Sequence, residues 1–490
     1  MEHGRTGGTG PVHAPQSGPG NPAAGRPRHT RLRRITGLLS LLVAGLVTAI
    51  VGTAAGGQEV AGGPILELYE ITGTSAELTA ATQSGAEILR PVGADGDVVT
   101  VRAVVPIERV ARLRDAGIEI EAVERAAAIE GRQAGDFNVW RPWSGTDGIR
   151  AEMEAVAAAN RSLTKLVTLG ESVQGEPIYA IKVTQNARSV ADGSRPSSGY
   201  ISAQHAREWI TVEANRRFMH HLLDNYGSDP EITELLNTTE VWFVLVANPD
   251  GYDYTFTNDR LWRKNLADNN NSGTISFFDG VDLNRNFAEK WGYDNEGSSG
   301  ATSSEVYRGT APMSEPETQA MDALFALAGF EYFFNIHSAV GIMLYGNGSI
   351  VAAESPDDHI GEVLIGTDAS PAIPGYNPGV SAELYIVNGD TNDYMQNAYG
   401  GFAVVMELET CDQAEALILN DAFGPNFCES EGRSVFEFPD NEALIEMVFQ
   451  RNLPLYLSGA QSAALGDDPI SQDGRRTPDI VLDDLSLIHI

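Results

Sequence analysis

The stretch YISAQHAREW, from Tyr200 to Trp209, ends an apolar run with side chains that folding alone does not explain. Its first three residues are typical of the end of a buried strand. The residues from Trp209 onward place apolar side chains along one face of a helix. His205, Arg207 and Glu208 therefore fall at a strand-to-helix junction. In open α/β sheets the chemistry lies beyond the carboxyl ends of strands, so this junction is a candidate site.

Strand-like runs alternate with helical patterns over most of the chain. Val241–Gly251, Phe330–Ser338 and Gly401–Glu409 are each predicted to be buried strands. A further helix is predicted to begin at SEPE, where Ser314 would cap the first turn and Glu317 would complete a capping box. This alternation predicts an α/β fold, a doubly wound mixed sheet flanked by helices.

A smaller α/β unit is predicted before this region. Asp97–Val105 and Ile118–Val123 have strand patterns, and the segment between them, which opens with Pro106, has a helical pattern. The charged, Ala-rich segment Glu124–Asp136 then separates the unit from the rest of the chain. We expect this linker to be accessible to a processing protease.

The amino terminus is typical of an exported protein. Residues 1–34 carry six Arg, and an uncharged apolar run from Ile35 to about Ala55 follows, with small residues at its end. This order predicts a secretory signal peptide, and an uncleaved membrane anchor is the alternative. In both cases the rest of the chain lies outside the cytoplasm, as an extracellular protein or as an anchored ectodomain.

The charge of the chain excludes one class of partner, and its cysteines predict a covalent link. Asp and Glu outnumber Lys and Arg by 67 to 33, for a net charge of -34, which excludes a nucleic-acid partner because phosphates would be repelled. The two cysteines of the sequence are Cys411 and Cys428. In an exported protein such a pair predicts one disulfide bond, with two free buried thiols as the alternative.

The histidines point towards a metal site. A catalytic zinc ion takes three nitrogen or oxygen ligands and keeps one position open. His205 and Glu208 are three residues apart and can turn to the same side. Among the nine histidines, His337 is the other one that ends a predicted strand. The His-x-x-Glu pattern alone is a weak signal, because it often arises by chance on solvated helices.

Five motifs together make the signal specific. The chain resembles the zinc metallocarboxypeptidases (M14), and within them the carboxypeptidase A/B branch, as a secreted member of bacterial type. The resemblance extends from about Phe137 to Leu457. The motifs occur in the family's order: QHAREW (Gln204–Trp209), RLWRKN (Arg260–Asn265), VDLNRNF (Val281–Phe287), NIHS (Asn335–Ser338) and VMELET (Val405–Thr410).

The resemblance implies one Zn²⁺ ion per catalytic domain, bound by His205, Glu208 and His337. It also implies that Glu407 is the general base, which takes a proton from the attacking water and later passes it to the leaving amine. Arg263 would polarise the scissile carbonyl and then hold the oxyanion.

The resemblance also implies the substrate contacts. Asn284 and Arg285 would clamp the terminal carboxylate of the peptide, a planar group that suits the forked donors of Arg. Tyr385 would fold over that carboxylate, and Arg207 would add positive charge at the substrate subsites. Asn392 occupies the position that reads the C-terminal side chain.

Two positions depart from the family pattern. Ala339 stands after His-Ser where the digestive enzymes carry Tyr, which suggests a roomier upstream subsite. Asn392 is neither the apolar residue that selects apolar side chains nor the acid that selects Lys or Arg. Because Asp390 and Asp393 flank it, one of them can supply charge for a basic side chain, and we expect dual or broad specificity.

The sequence therefore predicts four regions: a basic arm with signal peptide or anchor (1–57), a prodomain-like unit with its linker (58–136), the zinc carboxypeptidase domain (137–464) and an acidic tail (465–490). The expected function is a monomeric, secreted carboxypeptidase acting on peptides or proteins with a free C-terminus. The alternatives are a cell-wall peptide peptidase of the same fold and a non-catalytic binding protein. The membrane is a partner only if residues 35–55 persist.

Overall fold

The structure is a computed structural model. The structure describes residues 66–74, 77–78, 80–81, 86–95, 98–123, 135, 137–295, 297–349, 357–384, 386–415, 428 and 436–465. The predicted signal or anchor segment, most of the linker, Tyr385 and the tail from residue 466 lie outside these ranges. Within them, no helix is both long enough and apolar enough to cross a membrane.

A four-stranded antiparallel sheet forms the small amino-terminal unit, in the order β2-β3-β1-β4. Its apolar core joins one face of the sheet to the helix, which confirms the predicted α/β pattern. The elements are β1 (Leu66–Thr74), β2 (Glu87–Asp95), β3 (Val98–Pro106), α1 (Ile107–Asp115) and β4 (Glu119–Ala122).

The large domain is built on an eight-stranded mixed sheet, in the order β13-β10-β14-β9-β7-β8-β6-β5, with a separate two-stranded ribbon of β11 and β12. The strands are β5 (Thr164–Glu171), β6 (Pro177–Val183), β7 (Ser197–Ile201), β8 (Glu240–Val244), β9 (Tyr332–Ser338), β10 (Ile342–Tyr345), β11 (Gly366–Thr367), β12 (Ser370–Pro371), β13 (Asn377–Val380) and β14 (Phe402–Leu408).

Helices cover both faces of this sheet. They are α2 (Ile149–Ala159), α3 (Trp209–Asn225), α4 (Pro230–Thr238), α5 (Pro249–Thr257), α6 (Pro316–Ala328), α7 (Asp358–Ile365), α8 (Ser381–Leu384), α9 (Thr391–Tyr399), α10 (Cys411–Ala414) and α11 (Glu442–Ser462). One core lies between the sheet and α3 with α11, and the other between the sheet and α6 with α9. This arrangement confirms the predicted doubly wound fold.

The four central strands β14, β9, β7 and β8 run parallel to one another. Every residue of β7, β8 and β9 is buried, as expected of parallel strands with helices on both faces. Their carboxyl ends therefore meet at one edge of the sheet. The loop after β7 and the end of β9 both lie at this edge, which brings their polar residues together.

The predicted strand Val241–Gly251 is only partly a strand, because its last three residues, from Pro249, belong to α5. The strand ends at Val244, and Asn248 caps the helix that follows, accepting a hydrogen bond from the backbone N–H of Gly251 at 3.1 Å. Pro249 at the first helical position suits this start, because its missing N–H would have no helical partner there.

The predicted capping box at SEPE is wrong. The helix begins at Pro316, and the Ser314 hydroxyl donates to the Glu315 carboxylate instead of capping the first turn. Glu317 accepts hydrogen bonds from the Val173 backbone N–H at 3.0 Å and from the Asn265 side chain at 3.1 Å. Contacts with distant segments therefore replace the local bonds of a capping box.

The predicted disulfide bond is present. Cys411 and Cys428 are joined, with their Cα atoms 5.8 Å apart, and both side chains are buried.

Candidate active site

Two neighbouring strands supply the predicted metal ligands. His205 and Glu208 lie in the loop between β7 and α3, and Glu208 is the residue before the first turn of α3. His337 lies near the carboxyl end of β9, two residues beyond Asn335, which pairs with Ile201 of β7. The parallel pairing therefore places the loop and the strand end side by side.

The three side chains converge. His205 Nδ1 lies 2.8 Å from Glu208 Oε1, and His337 Nδ1 lies 3.0 Å from Glu208 Oε2. The two Nδ1 atoms are 3.0 Å apart. All three residues are buried, and each offers a ligand atom within 4.8 Å of the others. Two imidazole nitrogens and one carboxylate are a donor set that fits a catalytic zinc ion.

Asp282 positions one of these ligands, and the sequence analysis missed it. Its Oδ1 lies 3.2 Å from His205 Nε2, and its Oδ2 accepts from Arg263 Nη2 at 2.9 Å and from Nε at 3.2 Å. A carboxylate that accepts the Nε2 proton leaves the Nδ1 lone pair of His205 for a metal. The signal available in the sequence was an acid two residues before Asn284, inside VDLNRNF.

The charges of the site stabilise the ionised carboxylates. Burial alone would raise the pKa of Glu208, but the charges of His205 and His337 and their hydrogen bonds hold that pKa well below its usual range. Burial would likewise raise the pKa of Asp282, whereas the Arg263 guanidinium and His205 hold it far below the usual value. Both carboxylates are therefore anionic acceptors at neutral pH.

Glu407 lies directly beside His337. The two are paired in register between the parallel strands β14 and β9, and adjacent strands lie roughly 4.8 Å apart. Met406 and Leu408 on either side of Glu407 are buried, whereas Glu407 itself is only partly buried. The sheet thus presents one partly exposed acid next to the histidine.

Asn284 and Arg285 lie on a short 3₁₀ turn, Leu283–Arg285, that directly follows Asp282 in the sequence. Asn284 also contacts the start of α9. Asn284 Oδ1 accepts hydrogen bonds from the Thr391 backbone N–H at 3.0 Å and from its hydroxyl at 2.8 Å. Asn284 Nδ2 lies 3.5 Å from His337 Nε2. Arg285 donates from Nη1 to the Asn284 carbonyl at 2.7 Å and is buried. The two residues are therefore fixed next to the metal ligands.

Comparison with known proteins agrees with this geometry. The family model described as zinc carboxypeptidase (Peptidase_M14) matches residues 149–431, more than half of the chain. This chain belongs to the zinc carboxypeptidase family.

Relatives and solved structures extend the comparison. Carboxypeptidase A2 of Rattus norvegicus is 31% identical over 227 residues, covering 46% of this chain and 51% of the relative. Carboxypeptidase A1 of Sus scrofa is 30% identical over 266 residues, covering 54% and 59%. The match thus spans about half the length of these relatives.

Two crystal structures share the fold. Thrombin-activatable fibrinolysis inhibitor superposes with a TM-score of 0.62 at 20% identity, covering 81% of this chain and 98% of that one. Carboxypeptidase A from Helicoverpa armigera superposes with a TM-score of 0.60 at 21% identity, covering 83% and 99%. At these identities the likeness shows the fold alone.

The remaining predicted site residues have different surroundings. Arg207 is fully buried, and its Nη1 donates to the Leu261 carbonyl at 3.3 Å. Its guanidinium lies 3.8 Å from the Glu305 carboxylate and 4.3 Å from the centre of the Phe436 ring. Its role in binding substrate stays a prediction.

Asn392 is also buried, and its Oδ1 accepts from Asn335 Nδ2 at 3.2 Å. Because Asn335 lies on β9 close to His337, this contact ties the predicted specificity position to the strand that carries the metal ligand. Ala339, the residue that departs from the family pattern, is buried just after β9.

Proposed function

We propose that this chain is a zinc-dependent carboxypeptidase that hydrolyses the C-terminal peptide bond of peptides and proteins and acts as a monomer. The observation that carries the proposal is the convergence of His205, Glu208 and His337, with Glu407 in register beside His337. The two Nδ1 atoms and the Glu208 carboxylate would hold the zinc ion. Bound there, zinc would supply Lewis-acid activation of water and of the scissile carbonyl.

The side chains around the ligands supply the other functions. Glu407 accepts the proton of the attacking water and returns it to the leaving amine, which a partly exposed carboxylate beside the metal site can do. Arg263, held by Asp282 at 2.9 Å, supports the developing oxyanion.

Substrate orientation follows from the neighbouring turn. Asn284 and Arg285 bind the terminal carboxylate of the peptide, and their fixed positions favour cleavage of the last peptide bond over internal bonds. We expect Tyr385 to cover that carboxylate and Arg207 to act on the upstream part of the peptide.

Hydrolysis of blocked dipeptides ending in Phe, Leu, Lys, Arg or Glu tests the proposal. We expect activity that a chelator abolishes and zinc restores. Glu407→Gln should lower kcat by roughly 10²–10⁴-fold with zinc still bound stoichiometrically. The matched control is Glu409→Gln. The Glu409 carboxylate accepts a hydrogen bond from Arg451 at 2.9 Å, so its replacement should lower the free energy of unfolding and leave the activity per folded molecule unchanged.

The proposal fails if the folded, zinc-loaded protein hydrolyses none of these dipeptides. Release from branched peptides that contain D-residues would then identify a cell-wall peptidase. Binding without hydrolysis would identify a non-catalytic protein.

We also propose that the protein is exported. The basic arm and apolar segment at the amino terminus and the disulfide between Cys411 and Cys428 support this, because disulfides persist in oxidising compartments. Amino-terminal sequencing of the mature protein from the medium and from membranes distinguishes the two forms. Absence of residues 35–55 indicates a cleaved signal peptide, whereas their retention in the membrane fraction indicates an anchor.

The amino-terminal unit is proposed to be an inhibitory prodomain. Arg102 lies 3.5 Å from Asp412, five residues after Glu407, and the Arg109 guanidinium lies over the Phe277 ring at 5.0 Å, five residues before Asp282. Both contacts fall on segments adjoining the site. Proteolysis within 124–136 should therefore raise activity. If the uncut protein is as active as the cut one, the unit is not inhibitory.

A further inference from the structure

The helix α3 begins without a side-chain cap. Glu208 stands directly before its first turn, at the position where a side-chain oxygen usually accepts a hydrogen bond from a first-turn N–H. The Glu208 carboxylate makes no such bond and lies against His205 and His337 instead. The residue that the metal site uses is therefore the one that would otherwise fix the start of the helix, so other contacts must hold this junction.

One guanidinium contacts the residues on both sides of Glu208. Arg260 Nη1 donates at 2.7 Å to the Arg207 carbonyl, which belongs to the peptide bond that precedes Glu208. The carbon of the same guanidinium lies 3.7 Å from the ring centre of Trp209, the residue that follows Glu208. Arg260 Nη2 donates to the Phe436 carbonyl at 2.9 Å. Both terminal nitrogens and the flat face of the guanidinium are thus engaged by the protein itself.

Trp209 is also held by the end of α5. Its ring N–H donates to the Thr255 hydroxyl at 2.7 Å, and its ring stacks on Phe256 with centroids 3.9 Å apart and planes 7° apart. Arg260 follows the last residue of α5 by three positions. Because an aromatic ring attracts a cation over its face, Arg260 strengthens this support. The end of α5 and Arg260 together fix the first residue of α3.

The peptide bond after Glu208 is fixed from within α3. The Glu208 carbonyl accepts from the Thr211 backbone N–H at 3.1 Å and from the Thr211 hydroxyl at 2.7 Å. Arg260 supplies the corresponding restraint on the peptide bond before Glu208. Groups of a metal site must be held to within about 0.5 Å of their bonding positions, and the placement of a side chain depends on that of its backbone.

We propose that Arg260 is a positioning residue for the metal ligand Glu208 and acts through the Arg207 carbonyl and the Trp209 ring. The proposal rests on the zinc carboxypeptidase function proposed above, and it gives a role to the first residue of the RLWRKN motif. Loss of the guanidinium should weaken zinc binding. It should leave the binding of substrate to the zinc-loaded protein unchanged.

The zinc Kd of two variants, measured by competition with a chromophoric chelator, tests this role. Arg260→Met keeps an unbranched side chain and removes the guanidinium. Its zinc Kd should rise roughly tenfold, the lower end of the range for residues that orient metal ligands. Arg260→Lys keeps the charge but has no planar fork, so its zinc Kd should lie between those of Arg260→Met and the wild type. With zinc saturating, KM for a blocked dipeptide should stay within about twofold of the wild-type value in both variants.

Arg308→Met is the matched control. The Arg308 guanidinium lies 5.6 Å from the centre of the Trp291 ring and donates to the backbone carbonyls of Asp294 and Ser298 at 3.1 and 3.3 Å. These contacts are of the same kinds as those of Arg260, but none of them adjoins a proposed metal ligand. The zinc Kd of this variant should stay within about twofold of the wild-type value.

Urea unfolding in the presence of a chelator shows whether each variant is folded before its zinc Kd is measured. If Arg260→Met does not fold, Arg260→Lys alone decides. A wild-type zinc Kd in the folded Arg260 variants overturns the inference. A raised KM with an unchanged zinc Kd also overturns it and makes Arg260 a substrate-binding residue.

An equal rise of the zinc Kd in Arg308→Met overturns the inference as well, because the effect is then a general loss of order. The wild-type protein separates this inference from the proposed function. Zinc binding without hydrolysis refutes the proposed function alone, whereas a folded wild-type protein that binds no zinc refutes both.

Discussion

Replacement of Asp282 by Asn tests how the site orients His205, the first of the three proposed metal ligands in the sequence. The carboxylate is fully buried and accepts four hydrogen bonds: Oδ1 from His205 Nε2 and from the Asn284 backbone N–H, and Oδ2 twice from Arg263. Asn has the same shape but only one acceptor atom. If its oxygen stays with His205, its NH₂ group faces the two donors of Arg263. If the amide flips, His205 and Asn284 lose their acceptor.

Either orientation therefore removes two of the four hydrogen bonds and leaves the buried guanidinium without its carboxylate. Removing one partner of a buried ion pair costs about 3–5 kcal/mol in the free energy of unfolding. Loss of the acceptor behind a metal-bound histidine lowers metal affinity by about 10–100-fold. The change in stability and the change in zinc affinity are separate quantities and are measured separately.

Unfolding by urea in the presence of a chelator gives the stability of the metal-free protein, and competition with a chromophoric chelator gives the zinc Kd. The matched control is Asp279→Asn, three residues upstream. Asp279 is equally buried, but its carboxylate accepts from Asn269 and Ser276. The Asp279→Asn variant should have a lower free energy of unfolding than the wild type and a zinc Kd within about twofold of the wild-type value. A wild-type zinc Kd in Asp282→Asn would refute the role assigned to Asp282.

Two further predictions concern stability away from the site. Burial would raise the pKa of Glu152, but its hydrogen bond with His220 and the charges of Arg216 and a second arginine lower that pKa to about 2. The ionised carboxylate should therefore contribute about 3 kcal/mol to the free energy of unfolding above pH 4.5, and this contribution should be lost as the pH falls towards 2. The free energies of unfolding of the wild type and of Glu152→Gln, measured by urea denaturation at several pH values, should converge at low pH. A difference that does not change with pH would contradict this. Opening the disulfide with Cys411→Ser and Cys428→Ser should lower the free energy of unfolding by about 3 kcal/mol, the value for a loop of this length, and an unchanged urea midpoint would contradict it.

The sequence was sufficient for most of the fold because its signals were local and repeated. β9 and β14 each begin with a run of apolar residues, Tyr332–Phe334 and Phe402–Met406, and α3 has apolar residues at helical spacing. His205 and His337 were identified because each lies at or just beyond the end of a predicted strand. The same local reasoning could not show that the two Nδ1 atoms are 3.0 Å apart, since that depends on the parallel pairing of β7 with β9.

The errors arose where distant partners competed with local ones. Glu317 was predicted to bond the first turn of its own helix, but Asn265 and the backbone of Val173 bind it instead. Nothing in the sequence indicated that Arg207, whose role in binding substrate stays a prediction, lies against Glu305 and Phe436, which are far away in the sequence. Asp282 was missed for the same reason, because its importance comes from two partners that the chain brings together only on folding.

The proposed function requires an anionic chain end to bind in an acidic protein, and the charge balance of the site decides which interactions can hold it there. With a net charge of -34, the protein gives little long-range attraction to a carboxylate, and Arg263 is already neutralised by Asp282 at 2.9 Å. Binding of the terminal carboxylate must therefore come from short-range hydrogen bonds, for which the fixed guanidinium of Arg285 is suited. A cationic last side chain would reverse this situation, since the acidic protein attracts it. For such a substrate residue, the same negative net charge that opposes its carboxylate favours its side chain.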